Sequence, residues 1–378
     1  MKKIERVGVI GGGQLAWMMA DAAQALGIDL VVQTPRSDDP AVKIAADVIL
    51  AAIDDPAATA ELATRCDLIT FENEFINLEA LMPLAQQGVC FRPSLEALSP
   101  LLDKYHQRCY LKEIDIPVPR FAALHSGGKI GSEFGFPVVL KARRHGYDGQ
   151  GTFILKSQDA LEATWERLKC PGMLLEEFVP FERELAVIAA RSLTGEVVVY
   201  PVVETQQENQ VCRRVIVPAQ ISPEISLQVK AISRTLLEQL QVVGVLGIEL
   251  FLTRNGKVLV NEIAPRTHNS GHYTLDACET SQFEMQLRSV AGLSLGSPAL
   301  KTSGAVMVNL LGYEHSQHDY RRKRARLAEI PQAHVYWYGK LESRFGRKLG
   351  HVTVLLTETA LNQSLEMAQQ IESIWYGC

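Results

Sequence analysis

Short apolar runs alternate with helical stretches over the first hundred residues. The runs lie at residues 7–10, 28–32, 47–50, 68–71 and 89–91. Between the first two runs, apolar side chains recur at helical spacing from residue 14 to residue 26, and Gly27 marks the end of that helix. Repeated strand–helix units with short, buried strands are typical of a parallel, doubly wound sheet. We therefore expect the first hundred residues to form such a sheet.

The pattern changes near residue 95. A helical stretch at 99–114 opens this part, and an amphipathic helix covers 226–240. The strands are expected at residues 136–142, 152–155, 173–178, 185–191, 197–203, 247–253 and 257–264. From about residue 300 there follow strands and a final helix, at residues 305–310, 333–338, 351–356 and 360–374. Runs of strands with few helices between them predict an α+β arrangement with antiparallel sheets.

The composition indicates a globular protein and argues against several functional classes. The chain has 378 residues, which suggests two or three domains, and its 38 Lys and Arg against 43 Asp and Glu give a formal net charge of −5. This balance gives no reason to expect a nucleic-acid or anionic-membrane partner. No apolar run approaches the roughly 18 residues of a membrane helix, and the start of the chain has no signal-peptide core. Seven cysteines without a CxxC pair indicate reduced thiols in a cytoplasmic protein.

A glycine-rich loop follows the first strand. Residues 11–16 read Gly-Gly-Gly-Gln-Leu-Ala and fit the pattern G-x-G-x-x-G/A, in which backbone N–H groups and a helix N-terminus suit a phosphate. A dinucleotide site also needs an acid at the end of the second strand, where this chain has Gln33 and Thr34. Arg36 could meet a 2′-phosphate instead, so an NADP site stays open as an alternative. Because the motif alone is weak, we favour a tight turn or a monophosphate site.

A strand pair near residue 255 is the most specific local signal. Asn255-Gly256 favours a two-residue type I′ hairpin turn, so residues whose numbers sum to 511 should face each other. Glu249 and Glu262 meet this condition, which predicts Cβ atoms about 4.5–5.5 Å apart on one face. Facing like charges destabilise a sheet unless a cation lies between them, and Mg²⁺ is held by one or two carboxylates plus substrate phosphates. The alternative is a pair of solvated carboxylates, and we favour the metal.

Two further segments have the composition of a nucleotide site. Lys141 ends an apolar strand and precedes the glycine-rich segment 146–152, which leads into another strand and not into a helix. A flexible glycine loop beside a lysine suits a lid over polyphosphate. The strand at 173–178 ends in acids, and its backbone edge could bind an adenine.

A polar cluster follows Glu262 directly. It consists of Arg266, His268, Asn269, Ser270 and His272. Together these side chains offer hydrogen-bond donors to an anionic substrate group next to the metal. The basic run at 321–326 is expected to be a solvated face of the protein.

Five motifs, in order along the chain, resemble the ATP-grasp superfamily and, within it, the family of N5-carboxyaminoimidazole ribonucleotide synthases. The motifs lie at residues 12–15, 70–74, 146–151, 261–272 and 346–351. The resemblance covers nearly the whole chain, and the block at 261–272 is its most specific part. It implies an N-terminal doubly wound domain over 1–98, a central ATP-grasp domain over 99–298 and a small α+β domain over 299–378, assembled as a homodimer.

The resemblance also implies the activity and the substrates. ATP and bicarbonate would form carboxyphosphate, which then carboxylates the exocyclic amine of 5-aminoimidazole ribonucleotide in purine biosynthesis. Asp148 is our candidate for handling the amine proton. The other members of the superfamily that we keep open are carboxylate–amine ligases such as a formate-dependent glycinamide ribonucleotide transformylase. An NADP-dependent oxidoreductase is the alternative from another class.

Each site residue is assigned from the matching motif. Those implied to bind ATP are Lys104, Lys141, Gly146, Tyr147, Asp148, Gly149, Gln150, Gly151, Thr152, Glu176, Glu177, Phe178, Val179, Glu184, Gln207, Asn261 and Glu262. Those implied to be catalytic are Tyr147, Asp148, Arg266, His268, Lys340 and Arg347. Those implied to bind the ribonucleotide are Gly13, Gln14, Leu15, Glu74, Asn269, Ser270 and Lys348. Glu249 and Glu262 are implied to hold Mg²⁺, as the hairpin register also predicts.

The chain departs from the family at two positions. It has Gln150 where the family usually has arginine in the lid, and Gln207 where the family often has histidine. Glutamine keeps a hydrogen bond but carries no charge, so the substrate phosphate is expected to depend more on Arg266, Lys340 and Arg347.

Overall fold

The protein consists of three sheets with helices packed on them. The structure is a computed structural model that describes residues 3–124, 134–144, 146, 151–168, 172–357 and 361–377. The strands are β1 (Arg6–Ile10), β2 (Asp29–Thr34), β3 (Asp47–Leu50), β4 (Leu68–Phe71), β5 (Phe121–Leu124), β6 (Val138–Ala142), β7 (Thr152–Leu155), β8 (Met173–Glu177), β9 (Phe181–Arg191), β10 (Val197–Val199), β11 (Val203–Glu208), β12 (Val211–Val217), β13 (Gly244–Thr253), β14 (Val258–Ala264), β15 (Gly304–Leu311), β16 (Ala333–Trp337) and β17 (Lys348–Leu356).

Helices connect and cover these strands. The α-helices are α1 (Gln14–Trp17), α2 (Ala20–Leu26), α3 (Pro56–Arg65), α4 (Leu78–Gln86), α5 (Leu95–Leu98), α6 (Lys104–Glu113), α7 (Gln158–Leu168), α8 (Pro223–Leu240), α9 (Thr274–Ala277), α10 (Gln282–Ala291), α11 (Arg321–Ala328) and α12 (Leu361–Tyr376). Short 3-10 helices lie at Pro40–Lys43 and Asn269–Gly271. Within the described ranges, no helix combines the length and the apolar character that crossing a membrane requires.

The first hundred residues form the expected parallel, doubly wound sheet. Its strand order is β3-β2-β1-β4, and all three pairings are parallel. Two expectations for this part were wrong. The helix predicted from residue 14 to residue 26 is divided between α1 and α2, and the run at 89–91 forms only a single bridge, between Ile69 and Phe91.

The middle of the chain forms antiparallel sheets, as predicted. A small sheet has the order β5-β8-β6-β7, and α7 packs on it through the buried Leu161. A large sheet contains β9 to β14, and α8 covers it with an apolar face that includes Val229, Leu236 and Leu237. Helix α8 begins at Pro223, because the Ser222 side chain accepts a hydrogen bond from the backbone N–H of Ile225.

The C-terminal strands continue the large sheet. Strand β15 pairs with β12, which gives the order β14-β13-β9-β11-β12-β15-β17-β16, with β10 beside β9. Helix α10 links this region to the parallel sheet, since Phe283, Leu287 and Val290 lie in one buried cluster with Val7 and Val9. The middle and C-terminal regions are therefore joined by strand pairing, and the N-terminal region is joined to them by core contacts.

Candidate active site

A pocket of about 1540 Å³ is lined by residues of the small sheet, of the large sheet and of the segments that follow strands of the parallel sheet. Lys141 and Glu176 come from the small sheet, Glu249 and Glu262 from the large sheet, and Glu74 follows the parallel sheet. Most of the residues that the sequence analysis singled out line this pocket: Gln14, Leu15, Glu74, Lys104, Lys141, Gly146, Thr152, Glu176, Glu177, Phe178, Val179, Glu184, Gln207, Glu249, Asn261, Glu262, Arg266, His268, Asn269, Ser270 and Lys348.

The facing pair of glutamates is present. Glu249 on β13 pairs directly with Glu262 on β14. Both carboxylates lie in the pocket, where the Lys104 ammonium is 2.7 Å from Glu262 Oε1 and the His268 ring is 3.5 Å from Glu249 Oε1. The sequence therefore placed these two acids correctly.

The turn that was used to place them differs from the prediction. Thr253 N–H bonds to Lys257 O and Gly256 N–H bonds to Thr253 O, which leaves a loop of Arg254, Asn255 and Gly256. A type I′ turn needs positive φ at both central residues, whereas of Asn255 and Gly256 only the glycine has it, at 76°.

A β-bulge in β14 offsets the shift in register that the longer loop causes. Near the loop the paired residue numbers sum to 510, as for Leu250 and Val260, and beyond the bulge they sum to 511. Strand β14 contains Asn261 as its extra residue, so Asn261 and Glu262 both line the pocket although they are consecutive in sequence. The three-residue loop and the bulge each shift the register by one residue, in opposite directions. Together they restore the predicted pairing of Glu249 with Glu262.

Buried basic residues stand beside these acids. The Glu176 carboxylate receives Arg108 Nε at 2.5 Å and Lys141 Nζ at 2.7 Å, and Lys141 also donates to Asn261 Oδ1 at 3.0 Å. Burial opposes ionisation of Glu176, but the charges of Arg108 and Lys141 outweigh it and lower its pKa to about 2. Burial lowers the pKa of Lys141. A phosphate placed here would supply Lys141 with a further anionic partner.

The two glutamates differ in their affinity for protons. Burial and the neighbouring Glu262 charge raise the pKa of Glu249 to about 7. Burial also opposes ionisation of Glu262, but the Lys104 charge prevails and lowers its pKa. A second cation would relieve the repulsion between the two acids. No group of three or more His, Cys, Asp and Glu side chains suited to a metal occurs among the described residues. The two facing carboxylates by themselves would suit a hard ion that completes its shell with phosphate and water oxygens.

The end of β8 and the facing strands form another wall of the pocket. Phe178 and Val179 follow Glu177, whose carboxylate accepts from Arg120 N at 2.9 Å and from Arg120 Nε at 2.6 Å. Burial and the Glu249 charge raise the pKa of Glu184 to about 7, and a hydrogen bond with Gln207 opposes the rise.

The glycine loop already binds an anionic group of the protein itself. The Glu72 carboxylate accepts hydrogen bonds from the backbone N–H groups of Gly13 at 2.6 Å, Leu15 at 3.0 Å and Ala16 at 3.4 Å. A Cβ atom on Gly13 would lie 2.5 Å from Glu72 Oε1, so this close approach requires glycine. These N–H groups are therefore paired with Glu72, and Gln14 and Leu15 are the loop residues that line the pocket.

The loop after β14 closes the opposite end of the pocket. Arg266 Nη2 lies 2.8 Å from Glu74 Oε1, and His268 Nδ1 lies 2.9 Å from Ser270 Oγ. Gly247 on β13 allows the loop to approach, because a Cβ atom there would lie 2.4 Å from His268 Cβ. The Asn269 side chain is paired with Asn309 on β15.

The structure does not bring every expected residue to the pocket wall. Lys340 donates to the backbone O of Lys348 at 2.9 Å, and Arg347 donates to the backbone O of Glu342 at 2.8 Å. Of the three basic residues expected in this region, Lys348 alone lines the pocket. Gly13 and Gly151 also stand outside its lining. The lid residues Tyr147, Asp148, Gly149 and Gln150 lie outside the described part of the chain.

Sequence reasoning missed three residues that shape the site. Arg108 on α6 is 2% exposed and holds Glu176, but nothing in its polar helix marks it as buried. Glu72 lies within the motif at residues 70–74, which gives it no role of its own, although an acid at the end of a buried strand beside a glycine loop is a usable signal. Asn309 stands alone as a polar residue among the apolar residues of β15, and that pattern also predicts a special role.

Models of three protein families match the chain. Residues 1–100 match the ribonucleotide synthetase preATP-grasp domain, and residues 109–283 match the ATP-grasp domain. Residues 305–364 match the phosphoribosylaminoimidazole carboxylase C-terminal domain.

Known proteins resemble the chain over its whole length. It is 54% identical to the N5-carboxyaminoimidazole ribonucleotide synthase of Synechococcus elongatus, over 98% of this chain and 96% of that protein. The corresponding synthase of Synechocystis is 52% identical over 99% of both chains. Among solved structures, the Thermotoga maritima synthetase has a TM-score of 0.87 and 39% identity over 98% of both chains. An Aspergillus clavatus synthase in complex with ADP and 5-aminoimidazole ribonucleotide has a TM-score of 0.91 and 30% identity over 100% of both chains.

Proposed function

This chain belongs to the N5-carboxyaminoimidazole ribonucleotide synthases, ATP-grasp ligases of purine biosynthesis, and we propose that its pocket uses ATP, bicarbonate and Mg²⁺ to carboxylate 5-aminoimidazole ribonucleotide. The observation that supports this proposal best is the facing pair Glu249 and Glu262 beside Lys104 and Lys141. A phosphoryl-transfer site needs paired carboxylates for a hard cation and cationic groups for the phosphates, and both are within one pocket.

ATP would lie between the small and the large sheet. The backbone edge at Glu177–Val179 would take the adenine, and Glu184 would accept a hydrogen bond from the ribose. Lys104 and Lys141 would face the phosphates. A bicarbonate oxygen attacks the γ-phosphorus, the bond to the β-phosphate oxygen breaks, and carboxyphosphate and ADP result. The two ammonium groups stabilise the charge on the transferred phosphoryl group in this step.

Glu249, Glu262 and the neighbouring Asn261 fit a bound Mg²⁺. The ion would supply positive charge that offsets the negative charge of the phosphates. Glu262 is held by its contact with Lys104, and Asn261 is oriented by Lys141. The chain itself therefore fixes the direction of the donor atoms before any ion binds.

The ribonucleotide would lie at the other end of the pocket, among Gln14, Glu74, Arg266, His268 and Asn269. Its exocyclic amine attacks the carbonyl carbon of carboxyphosphate, phosphate leaves, and the nitrogen loses a proton. We assign that proton to Asp148, which lies outside the described residues and stays a prediction. Exclusion of water protects carboxyphosphate until the amine attacks it.

Two observations argue against the oxidoreductase alternative. The Glu72 carboxylate occupies the N–H groups that a dinucleotide phosphate would need, and Arg36 is paired with Asp38 through two hydrogen bonds. Bound NADP would have to displace both interactions. The contacts of Glu72 therefore favour a structural turn over a dinucleotide site in the glycine loop.

The experiment that tests the proposed function is an assay of ADP formation. Bicarbonate or formate is supplied together with 5-aminoimidazole ribonucleotide or glycinamide ribonucleotide, in all four combinations. We expect ADP only from bicarbonate with 5-aminoimidazole ribonucleotide. Turnover that requires formate would instead identify the transformylase alternative.

Two further parts of the proposal concern the state of the protein in the cell. We propose a homodimer in the cytoplasm that binds small molecules only. Sedimentation of the purified protein tests the dimer, and a mass of one chain at micromolar concentration would contradict it.

A further inference from the structure

A buried asparagine on β15 lies directly behind the wall of the pocket, at the end proposed to bind the ribonucleotide. Asn309 is fully buried, and its cross-strand partner on β17 is His351, which is also fully buried. The His351 ring stacks on the ring of Tyr336 at a centroid distance of 4.6 Å, with an interplanar angle of 9°. Asn309, His351 and Tyr336 thus form a row of polar side chains across three neighbouring strands.

Asn309 contacts two separate parts of the pocket wall. Its Nδ2 donates to the backbone O of Cys212 at 2.9 Å and to Asn269 Oδ1 at 2.8 Å. Its Oδ1 accepts from Asn269 Nδ2 at 2.9 Å. Cys212 and Asn269 both line the pocket. The asparagine therefore connects the β11–β12 hairpin with the loop after β14.

These contacts determine which way both amides point. A backbone carbonyl can only accept a hydrogen bond, so the Cys212 carbonyl requires the Nδ2 side of Asn309 to face it. With Asn309 oriented in this way, Asn269 must present Oδ1 to Asn309 Nδ2 and Nδ2 to Asn309 Oδ1. If either amide were rotated by half a turn, the two Oδ1 acceptors would face each other and so would the two Nδ2 donors.

The pair leaves hydrogen-bonding capacity on Asn269. An amide has two N–H donors and a carbonyl oxygen with two lone pairs, and the pair with Asn309 uses one donor and one lone pair. Since Asn269 lines the pocket, the remaining donor and lone pair suit a polar group of the substrate.

We infer that Asn309 is a positioning residue that orients the Asn269 amide towards the ribonucleotide. The inference rests on the proposed function, because that function supplies the ligand at this end of the pocket. Asn309 does not line the pocket and acts only through Asn269. The C-terminal part of the chain therefore contributes to substrate recognition as well as to the sheet.

The first test replaces Asn309 by a residue of similar size without hydrogen-bonding groups. In Asn309→Leu we expect the Kd and the KM for the ribonucleotide to rise about tenfold, as for the loss of one well-placed hydrogen bond. The KM for ATP should change less than about twofold. The matched control is Val308→Ala, because Val308 is buried in the same strand and belongs to the core of the C-terminal region. The control should leave all three constants unchanged.

A double-mutant cycle separates positioning from a general structural effect. If Asn309 acts only through Asn269, then Asn269→Ala with Asn309→Leu should have the same ribonucleotide Kd as Asn269→Ala alone. Additive losses, or an unchanged Kd in folded Asn309→Leu, would overturn the inference.

A second variant covers the case in which Asn309→Leu does not fold. Asn309→Asp keeps the size of the side chain, but its ionised carboxylate cannot donate to Cys212 O or Asn269 Oδ1. Its ribonucleotide Kd should increase as the pH rises and the new carboxyl ionises, and Val308→Ala should show no such trend. A pH-independent Kd equal to that of the wild type would overturn the inference, as would the failure of both variants to fold.

Calorimetric binding keeps this test separate from the proposed function. Wild-type protein that binds the ribonucleotide without forming ADP would contradict the proposed reaction, and the Asn309 variants would still be compared through Kd. Wild-type protein that does not bind the ribonucleotide would contradict both.

Discussion

Asn261 is the residue on which the geometry of the carboxylate pair depends. Its backbone O accepts from Arg108 Nη2 at 2.5 Å, and its side chain accepts from Lys141 at 3.0 Å. These contacts from two other elements hold the extra residue of the bulge in place. As a result, Glu249 and Glu262 face each other and Asn261 points into the same pocket.

Removing the charge of Glu262 tests the role of the pair. Glu262→Gln keeps the shape of the side chain but removes its charge. The substitution therefore weakens the binding of a cation and the contact with Lys104. We expect ribonucleotide-dependent ADP formation to fall about a hundredfold or more. The far-ultraviolet circular dichroism should not change, because glutamine occupies the same space as glutamate.

The matched control for this variant is Glu238→Gln, an exposed position on α8. It should retain full activity. An active Glu262→Gln enzyme would remove Glu262 from the metal site.

Gly247 permits the contact between β13 and the loop that carries His268. In Gly247→Ala the new Cβ atom would lie 2.4 Å from His268 Cβ and 2.8 Å from His268 Cγ, so the loop must shift. We expect kcat/KM to fall about tenfold to a hundredfold because the loop residues are misplaced. The free energy of unfolding should fall by about 1–3 kcal/mol, which urea titration measures.

Gly172→Ala is the control for this substitution. Its Cβ atom would meet Arg143 at 3.6 Å, an ordinary contact. Equal activity of the two variants would show that the close approach at Gly247 has no functional role.

At the scale of elements, a strand was predictable where the local sequence pattern determines it. It was not predictable where contacts with distant segments determine it. The apolar runs of β1, β3 and β4 were found almost to the residue, because apolar runs bounded by turns need no partner to be recognised. Strand β12 was missed, because its polar residues Arg213 and Arg214 pair with a helix from the far end of the chain. The local sequence pattern cannot predict a contact with a helix so far along the chain.

The hairpin β13–β14 shows the limits of turn rules. Asn-Gly predicted the right partner for Glu249 through the wrong turn. The loop has three residues, and the bulge at Asn261 offsets the difference. The bulge is stabilised by Arg108 and Lys141 from distant segments, which a local rule does not consider.

The contact of α12 with β12 should make stability depend on pH. The Glu372 carboxylate receives Arg214 Nε at 2.6 Å and Arg213 Nε at 3.0 Å. Burial opposes ionisation, but the arginines prevail and lower the pKa of Glu372 below its usual 4.5. A lowered pKa in the folded state means that the stabilisation is present above pH 4.5 and is lost as the pH falls through the folded-state pKa.

Urea unfolding between pH 7 and pH 3 measures this effect. Glu372→Gln should lose about 1–3 kcal/mol at pH 7 and show a weaker pH dependence than the wild type. Glu366→Gln, at an exposed position of the same helix, should behave as the wild type. Parallel pH profiles for wild type and Glu372→Gln would contradict the assignment.

At the scale of the whole molecule, residues from all three predicted domains line one pocket. The domain boundaries near residues 98 and 298 stay predictions, while the sheet itself continues from β12 to β15 across the second of them. Most residues that the motifs identified do line the pocket, because each motif is local. They could not predict that Lys340 and Arg347 donate to backbone carbonyl groups, since those contacts depend on the path of the surrounding loop.

The measurement that tests the account most directly follows labelled bicarbonate through one turnover. The wild-type protein is incubated with ATP, 5-aminoimidazole ribonucleotide and bicarbonate that carries carbon-13 and oxygen-18. We expect carbon-13 on the ribonucleotide and one oxygen-18 atom in each phosphate released, because bicarbonate oxygen attacks the γ-phosphorus before the amine attacks the carbon. ADP formation with unlabelled phosphate and an unlabelled ribonucleotide would contradict the proposed reaction.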